Sequence, residues 1–301
     1  MPRRILIIVN PGAGRVASRR RHLGRVVAAL RGRGCAVEVR EAARAGDAES
    51  LARTAEPEFD VIVAAGGDGT VGAVVNGIAD APRPIAILPL GTANVLAAEI
   101  GLPDGAAALA EIIAEGPARP VWPGRIGGRL FLTSAGSGFD ADVVAAVDAG
   151  FKRRGGKLAF VWAALTCLLR YRERRLTVTA DGVEHHASAV IATTGPLYAG
   201  RFVVAPAARL DEPVLHLVLL RGGGRGAVLR HDAAMLLGRL PGAASVTIRS
   251  ARVVTITGDA GAPVQADGDI AARLPVTLAI ADRPTPIVQP AVSRKSAIRR
   301  H

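Results

Sequence analysis

Val61-Ile62-Val63-Ala64-Ala65-Gly66-Gly67-Asp68-Gly69-Thr70 decides the fold of this chain. Five apolar residues in a row read as a short strand buried on both faces. Three glycines, one carboxylate and one hydroxyl follow, and then a helix-like run, Val71 to Ile78. Glycines let backbone approach a bulky anion closely. A helix start just behind them offers unpaired N–H groups to phosphate. Asp68 stands where a phosphate-bound Mg²⁺ needs an oxygen ligand. A turn built for geometry alone needs neither the acid nor the hydroxyl, so the stretch points to a nucleotide and to phosphoryl transfer.

Around this stretch, strand and helix patterns alternate. Ile5–Val9, Ala36–Arg40, Val61–Ala65 and Ile85–Leu88 read as strands. Ser18–Arg31, Asp47–Thr54, Val71–Ile78, Asn94–Ile100 and Ala106–Glu115 read as helices. That order predicts an α/β domain with a parallel sheet covered on both faces. After Gly116-Pro117 the texture changes to short β-branched runs: 129–134, 176–179, 188–193, 215–220, 246–248, 253–257 and 276–280. This rhythm predicts a mainly antiparallel β-sandwich, interrupted by helical patterns at 141–148, 156–171 and 225–237. The expected domains are 1–121, nucleotide-binding, and 122–281, β-rich and substrate-binding. Residues 282–301 can pack back on the first.

Three glycine loops sit at strand ends of the first domain: Asn10-Pro11-Gly12-Ala13-Gly14, Gly66 to Thr70, and Pro89-Leu90-Gly91-Thr92-Ala93-Asn94. Ligands of open parallel sheets bind beyond the carboxyl ends of the strands. Asn10, Pro11, Gly12, Gly14, Gly66, Gly67, Asp68, Gly69, Thr70, Gly91, Thr92 and Asn94 are therefore the candidate nucleotide-binding residues. Alone, the third loop could be a helix cap formed by Thr92 or Asn94. A Walker A lysine is absent, because no Lys precedes Lys152. Gly12, Gly14 and Ala17 match a dinucleotide fingerprint, but Pro11 and the arginines at 19–21 do not suit its tight turn.

Composition narrows the partners. The net charge is +12, nearly all of it from arginine, and aromatic residues are 3%. Such a basic balance suits anionic lipid or a phosphate-rich substrate. The scarcity of aromatics argues against base-stacking platforms, so no nucleic acid is expected. Cys35 and Cys167 form no metal-ligand pattern or disulfide framework. No apolar run reaches the roughly 20 residues of a membrane span. A soluble, cytoplasmic protein is expected. Arg153, Arg154 and Lys157, an apolar run from Leu158 to Leu169, and Arg170, Arg172, Arg174 and Arg175 suggest transient peripheral contact with anionic membrane. His185-His186 reads as a solvated turn.

Taken in order, these motifs resemble the diacylglycerol kinase catalytic-domain superfamily, which includes soluble bacterial lipid kinases, sphingosine kinases and ceramide kinases. The resemblance continues through Gly136-Ser137-Gly138-Phe139-Asp140-Ala141, Gly156 to Phe160, Thr194 to Gly200, Ala205-Pro206-Ala207 and Asp267-Gly268-Asp269. NAD kinases share the Gly66–Thr70 loop and a related architecture, while Pro89–Asn94 favours the lipid branch. The resemblance implies ATP and Mg²⁺, a lipid substrate at the membrane surface, and a nucleotide between the two domains. It also admits a homodimer.

Phosphorylation of diacylglycerol is the implied reaction; another lipid alcohol, NAD, or nucleotide binding without turnover are the alternatives. The family's terminal Asp-Gly-Glu reads Asp267-Gly268-Asp269 here, which implies Asp269 as general base, with Asp267 or a water as the alternative because Asp reaches one methylene less than Glu, and Asp68 as the residue organising Mg²⁺. Without the resemblance, the same three residues read as a hairpin turn. The family's Leu-Asp-Asp-Gly metal loop reads Leu210-Asp211-Glu212-Pro213 here. Pro213 fixes φ near −65°, so a weakened or lost metal site is expected, with Glu212 or Asp211 as its remaining candidate ligands. Ala73 and Ala42 stand where the family has an acid and a threonine.

Overall fold

The computed structural model describes residues 2–10, 17–146 and 162–291. Among these residues the chain divides into two compact units, up to Val121 with Arg283 onward, and Trp122–Asp282.

In the first unit, β1 (Arg4–Val9), α1 (Ala17–Gly32), β2 (Ala36–Glu41), α2 (Asp47–Arg53), β3 (Val61–Gly66), α3 (Asp68–Gly77), β4 (Ile85–Pro89), α4 (Val95–Glu99), α5 (Ala106–Glu115) and β5 (Ala118–Val121) follow in order. β1 to β4 are parallel to their neighbours. Alternation along each strand divides its side chains between two helical layers. Ile5, Ile7, Val61, Val63 and Leu88 pack with Val26 and Leu30 of α1 and Leu109 and Ile113 of α5. Leu6, Ile8, Ile62 and Ala64 point to the other face and are equally buried.

The second unit contains β6 (Gly124–Ile126), β7 (Arg129–Phe131), β8 (Ser134–Ser137), α6 (Phe139–Ala146), a helix α7 over 162–169, β9 (Leu176–Ala180), β10 (Val183–Ala187), β11 (Ala189–Thr193), β12 (Leu197–Tyr198) and β13 (Phe202–Val203). Then come β14 (Leu215–Leu220), α8 (Gly224–Leu236), β15 (Val246–Ala251), β16 (Val253–Thr257), β17 (Pro263–Ala266), β18 (Asp269–Arg273) and β19 (Val276–Ile280). The final strand, β20 (Thr285–Val288), returns to the first sheet, whose order is β2-β1-β3-β4-β20-β5.

Two antiparallel sheets, β10-β9-β16-β19-β6-β7 and β15-β14-β11-β8-β17-β18, make the second unit. Their inner faces share one core. Val178, Val254, Ile256 and Leu278 come from one sheet, and Ala135, Val190, Leu217, Leu219 and Val264 from the other. This is the alternating inward pattern of a sandwich.

Several local expectations change. The helix after β3 starts at Asp68, not Val71, so Asp68-Gly69-Thr70 is its first turn. The strand expected over 129–134 is split between the two sheets as β7 and β8, because Leu132 to Ser134 bend around a carboxylate described below. His185 and His186 lie on β10, an edge strand, and not in a turn. The run at 153–160 and the end of the helix expected over 141–148 lie outside the described residues.

Candidate active site

The order β2-β1-β3-β4 reverses direction between β1 and β3, where open α/β sheets hold their ligands. Asn10 closes β1 there, its N–H donating to the Ala65 carbonyl at 3.2 Å. Pro11, Gly12 and Gly14 lie outside the described residues.

The second and third glycine loops form one structure. The Leu90 N–H donates to the Gly66 carbonyl at 2.8 Å. A methyl group on Gly91 would stand 2.4 Å from the Gly67 Cα, so the two loops touch backbone to backbone. Asn94 locks the third loop from within: its Oδ1 accepts the Gly91 N–H at 3.0 Å, and its Nδ2 donates to the Gly91 carbonyl at 3.1 Å. Asn94 occupies the N-cap position of α4 in the left-handed region (φ 49°), but its side chain makes no cap bond. Asp68 takes that role, its Oδ1 accepting the Val95 N–H at 2.7 Å. Thr70 is 5% exposed and its side chain folds back over Gly66. That packing makes its side chain a brace of the loop. Gly69 and Thr92 are exposed. The start of α3, a ten-residue helix, thus opens from a glycine floor. Its first N–H groups and dipole favour an anion.

These residues fit a phosphate chain, because any Cβ at Gly67 or Gly91 would fill the floor. They also fit Mg²⁺ that arrives on phosphates, which needs only one or two protein carboxylates. Among the described residues no group of three or more His, Cys, Asp or Glu side chains gathers to cage a metal by itself.

In the second unit, Asp267 and Gly268 link β17 to β18 as a two-residue hairpin loop, with φ of 49° and 83°. Both central residues at positive φ define a type I′ turn, the turn that Asp-Gly prefers. The turn is also an anchor. Asp267 Oδ2 accepts the Leu132 N–H at 2.7 Å. Its Oδ1 accepts the Thr133 N–H at 2.9 Å, the Thr133 hydroxyl at 2.7 Å and the Ser134 N–H at 3.2 Å. Burial pushes the Asp267 carboxyl up, while these four donors pull it back. Removing it would orphan three N–H groups at about 1–3 kcal/mol each. Asp267 therefore fits a positioning residue better than a base. Asp269 opens β18 and is exposed.

Among the described residues Glu212 belongs to no group of three or more His, Cys, Asp or Glu side chains. Arg209 binds Asp211 at 3.0 and 2.8 Å and Glu212 at 3.2 Å, so a guanidinium pairs with both carboxylates.

Sequence reasoning gave no individual role to Asp140, Tyr198 or Gln265. The Tyr198 hydroxyl donates to Asp140 Oδ2 at 2.9 Å, and Gln265 Nε2 reaches the same oxygen at 3.4 Å. Burial pushes the Asp140 carboxyl up, and burial together with Asp140 pushes the Tyr198 phenol well up, so Tyr198 keeps its proton and donates. Asp140 and Tyr198 sat inside motifs already noted for their resemblance, but nothing in the sequence pairs residues so far apart.

Family comparison accounts for both units. The diacylglycerol kinase catalytic domain matches residues 4–126, and the YegS C-terminal NAD kinase beta sandwich-like domain matches residues 133–289, more than half of the chain. The chain belongs to the diacylglycerol kinase catalytic-domain superfamily. Among curated members, a diacylglycerol kinase of Bacillus subtilis (strain 168) is 28% identical over 279 residues, covering 91% of this chain and 92% of its own. One from Staphylococcus aureus (strain Newman) is 26% identical, covering 96% of this chain and 93% of its own. The crystal structure of a diacylglycerol kinase from Bacillus anthracis str. Sterne shares the fold, with a TM-score of 0.75 at 23% identity, over 96% of this chain and 97% of that one. In this superfamily member, the departures at Ala42, Ala73, Pro213 and Asp269 leave both loops and the turn intact.

Proposed function

We propose that this chain transfers the γ-phosphoryl group of ATP to a lipid hydroxyl, with diacylglycerol as acceptor and phosphatidic acid as product. The observation that carries the reading is the pairing of two devices in one chain. The first unit offers a glycine-floored anion site at a helix start, and the second holds an exposed carboxylate on a clamped turn.

Phosphoryl transfer asks the protein mainly for positioning and charge stabilisation. In this reading the Gly66–Thr70 and Gly91–Asn94 loops hold the donor phosphates. Asp68 would be the protein carboxylate that holds Mg²⁺ on those phosphates, and the ion would supply screening of their charge. The lipid hydroxyl oxygen attacks the γ-phosphorus, the bond to the β-phosphate oxygen breaks, and ADP leaves. Asp269 accepts the hydroxyl proton. Asp267 holds the turn that presents Asp269.

Peripheral membrane contact belongs to the same reading. No helix among the described residues is long and apolar enough to cross a membrane. The chain nonetheless exposes Trp162 (66%), Leu165 and Leu169 on α7, and Leu229 and Leu236 on α8. The two helices meet where the Arg225 guanidinium donates to the Leu169 carbonyl. Arg170, Arg172 and Arg175 are exposed just beyond α7. Large apolar side chains beside arginines suit the boundary layer of an anionic bilayer. Trp162→Asp with Leu165→Asp is expected to lower co-sedimentation with phosphatidylglycerol vesicles at least about tenfold, each lost apolar side chain counting roughly 1.5–3 kcal/mol. Unchanged sedimentation would remove this surface from the account.

The reading is tested by incubating the protein with γ-labelled ATP and a host lipid extract, with NAD in a parallel reaction. Label in an extracted lipid is expected. Label in NADP and none in lipid would replace the lipid reading with the nucleotide one.

A further inference from the structure

The turn that carries Asp269 is held from two sides. Asp267 clamps it to Leu132–Ser134, as described. On the other side the Gly268 N–H donates to Gln265 Oε1 at 3.1 Å. Gln265 is 2% exposed, so its amide must find both of its partners inside the protein. Because Oε1 is committed to an N–H, the NH₂ end can face only an acceptor, and Asp140 Oδ2 stands there at 3.4 Å. Asp140 is in turn fixed by the Tyr198 hydroxyl at 2.9 Å. Donors and acceptors run in one sense: Tyr198 and Gln265 donate to Asp140, and Gln265 accepts from the turn.

The backbone around Gln265 is irregular at the same place. Gln265 lies opposite Ile270 and Val264 opposite Ala272, so Ala271 is an extra residue on β18. Such bulges re-aim side chains at strand ends. Gln265 also pairs with Gly136 of β8, two residues ahead of Gly138, after which the first turn of α6 supplies the carboxylate.

We infer that Gln265, locked by Asp140 and Tyr198, is a positioning residue that sets the placement of the Asp267–Asp269 turn and hence of the base at Asp269. This inference rests on the lipid kinase reading for its catalytic part only. The positional part concerns the turn and needs no substrate. A side chain that merely filled core space would be replaceable by leucine. One that orients a turn would not.

The test uses the full chain with Gln265→Leu, Tyr198→Phe, Gln265→Glu and the double variant Asp140→Asn/Gln265→Glu. The double variant reverses the polarity of the link: the new amide at 140 donates to the new carboxylate at 265, which still accepts the Gly268 N–H. Amide hydrogen exchange at Gly268 is read first. Gln265→Leu is expected to speed it about a hundredfold, Tyr198→Phe less, and the double variant is expected to return it to within about threefold of wild type. Turnover is read second. Gln265→Leu is expected to lower kcat about tenfold to a hundredfold with KM for ATP unchanged. Added to Asp269→Ala, it is expected to cost nothing more, because a residue that acts through Asp269 has no role once Asp269 is gone. Unchanged Gly268 exchange in folded Gln265→Leu, or failure of the double variant to recover it, overturns the positional inference whether or not lipid is turned over. Multiplying losses in the Asp269→Ala background overturn the catalytic link. Normal exchange behaviour in a chain that phosphorylates no lipid would overturn the kinase reading alone.

Discussion

Asp269→Ala is expected to lower kcat for lipid phosphorylation by about 10²- to 10⁴-fold, the usual contribution of a positioned general base. The fold should survive. Asp269 is exposed, and Asp267 and Gly268 make hydrogen bonds that fasten its turn. KM for ATP should stay near the wild-type value, since the loops proposed to bind the donor are in the other unit. Asp269→Glu is the informative companion. It lengthens the reach by one methylene and keeps the charge, so activity should remain within about tenfold of wild type, against the loss of a whole base in the alanine variant. Kinetics on diacylglycerol micelles, with thermal unfolding measured on the same samples, decide the matter. An alanine variant that is folded and turns over within tenfold of wild type would remove Asp269 from the mechanism.

The second large effect belongs to Asp68, whose observed structural task and proposed metal task can be separated by substitution. Its Oδ1 accepts the Val95 N–H at 2.7 Å and so ties the Gly66–Thr70 loop to the start of α4. In the proposed mechanism its charge also serves Mg²⁺. Asp68→Asn keeps an oxygen for Val95 and discards the charge. It is expected to lower kcat/KM for Mg²⁺–ATP by roughly 10²- to 10³-fold, the scale of losing one electrostatic stabiliser of a transition state. Its unfolding midpoint should change little. Asp68→Ala should match that kinetic loss and also cost about 0.5–2 kcal/mol of stability, as a lost helix cap does. Turnover by Asp68→Asn at the wild-type rate would leave Asp68 with the structural task alone.

What could be read from the sequence follows from how local each signal is. Ile5–Val9 and Val61–Ala65 are runs of consecutive apolar residues, so their burial on both faces was visible before any contact was known. The glycine loops were visible for the same reason. Their internal wiring was not. Whether Asn94 caps α4 or braces Gly91 depends on Asp68 arriving 27 residues away to take the cap. Thr70 turns inward because Gly66 leaves room for it.

The break in the strand at Leu132–Ser134 is a long-range effect. Asp267 reaches back across 135 residues to bind the Leu132 N–H, and that bond outweighs the local β-branched pattern. The Asp140–Gln265 link spans 125 residues and has no periodic signature. Asp267-Gly268-Asp269 shows the limit most clearly. It was open to reading as a hairpin turn or as a catalytic motif, and the structure makes it a type I′ hairpin whose first carboxylate is an anchor. A sequence pattern does not separate two roles that share three residues.

The central claim is that this chain moves a phosphoryl group from ATP to a lipid hydroxyl through Asp269. Purified protein given γ-labelled ATP, Mg²⁺ and diacylglycerol in mixed micelles tests it most directly, with Asp269→Ala beside it. The account predicts labelled phosphatidic acid from the wild-type chain and a hundredfold or greater loss from the variant. No labelled lipid from a folded wild-type chain that binds ATP, or equal labelling by both proteins, would contradict it.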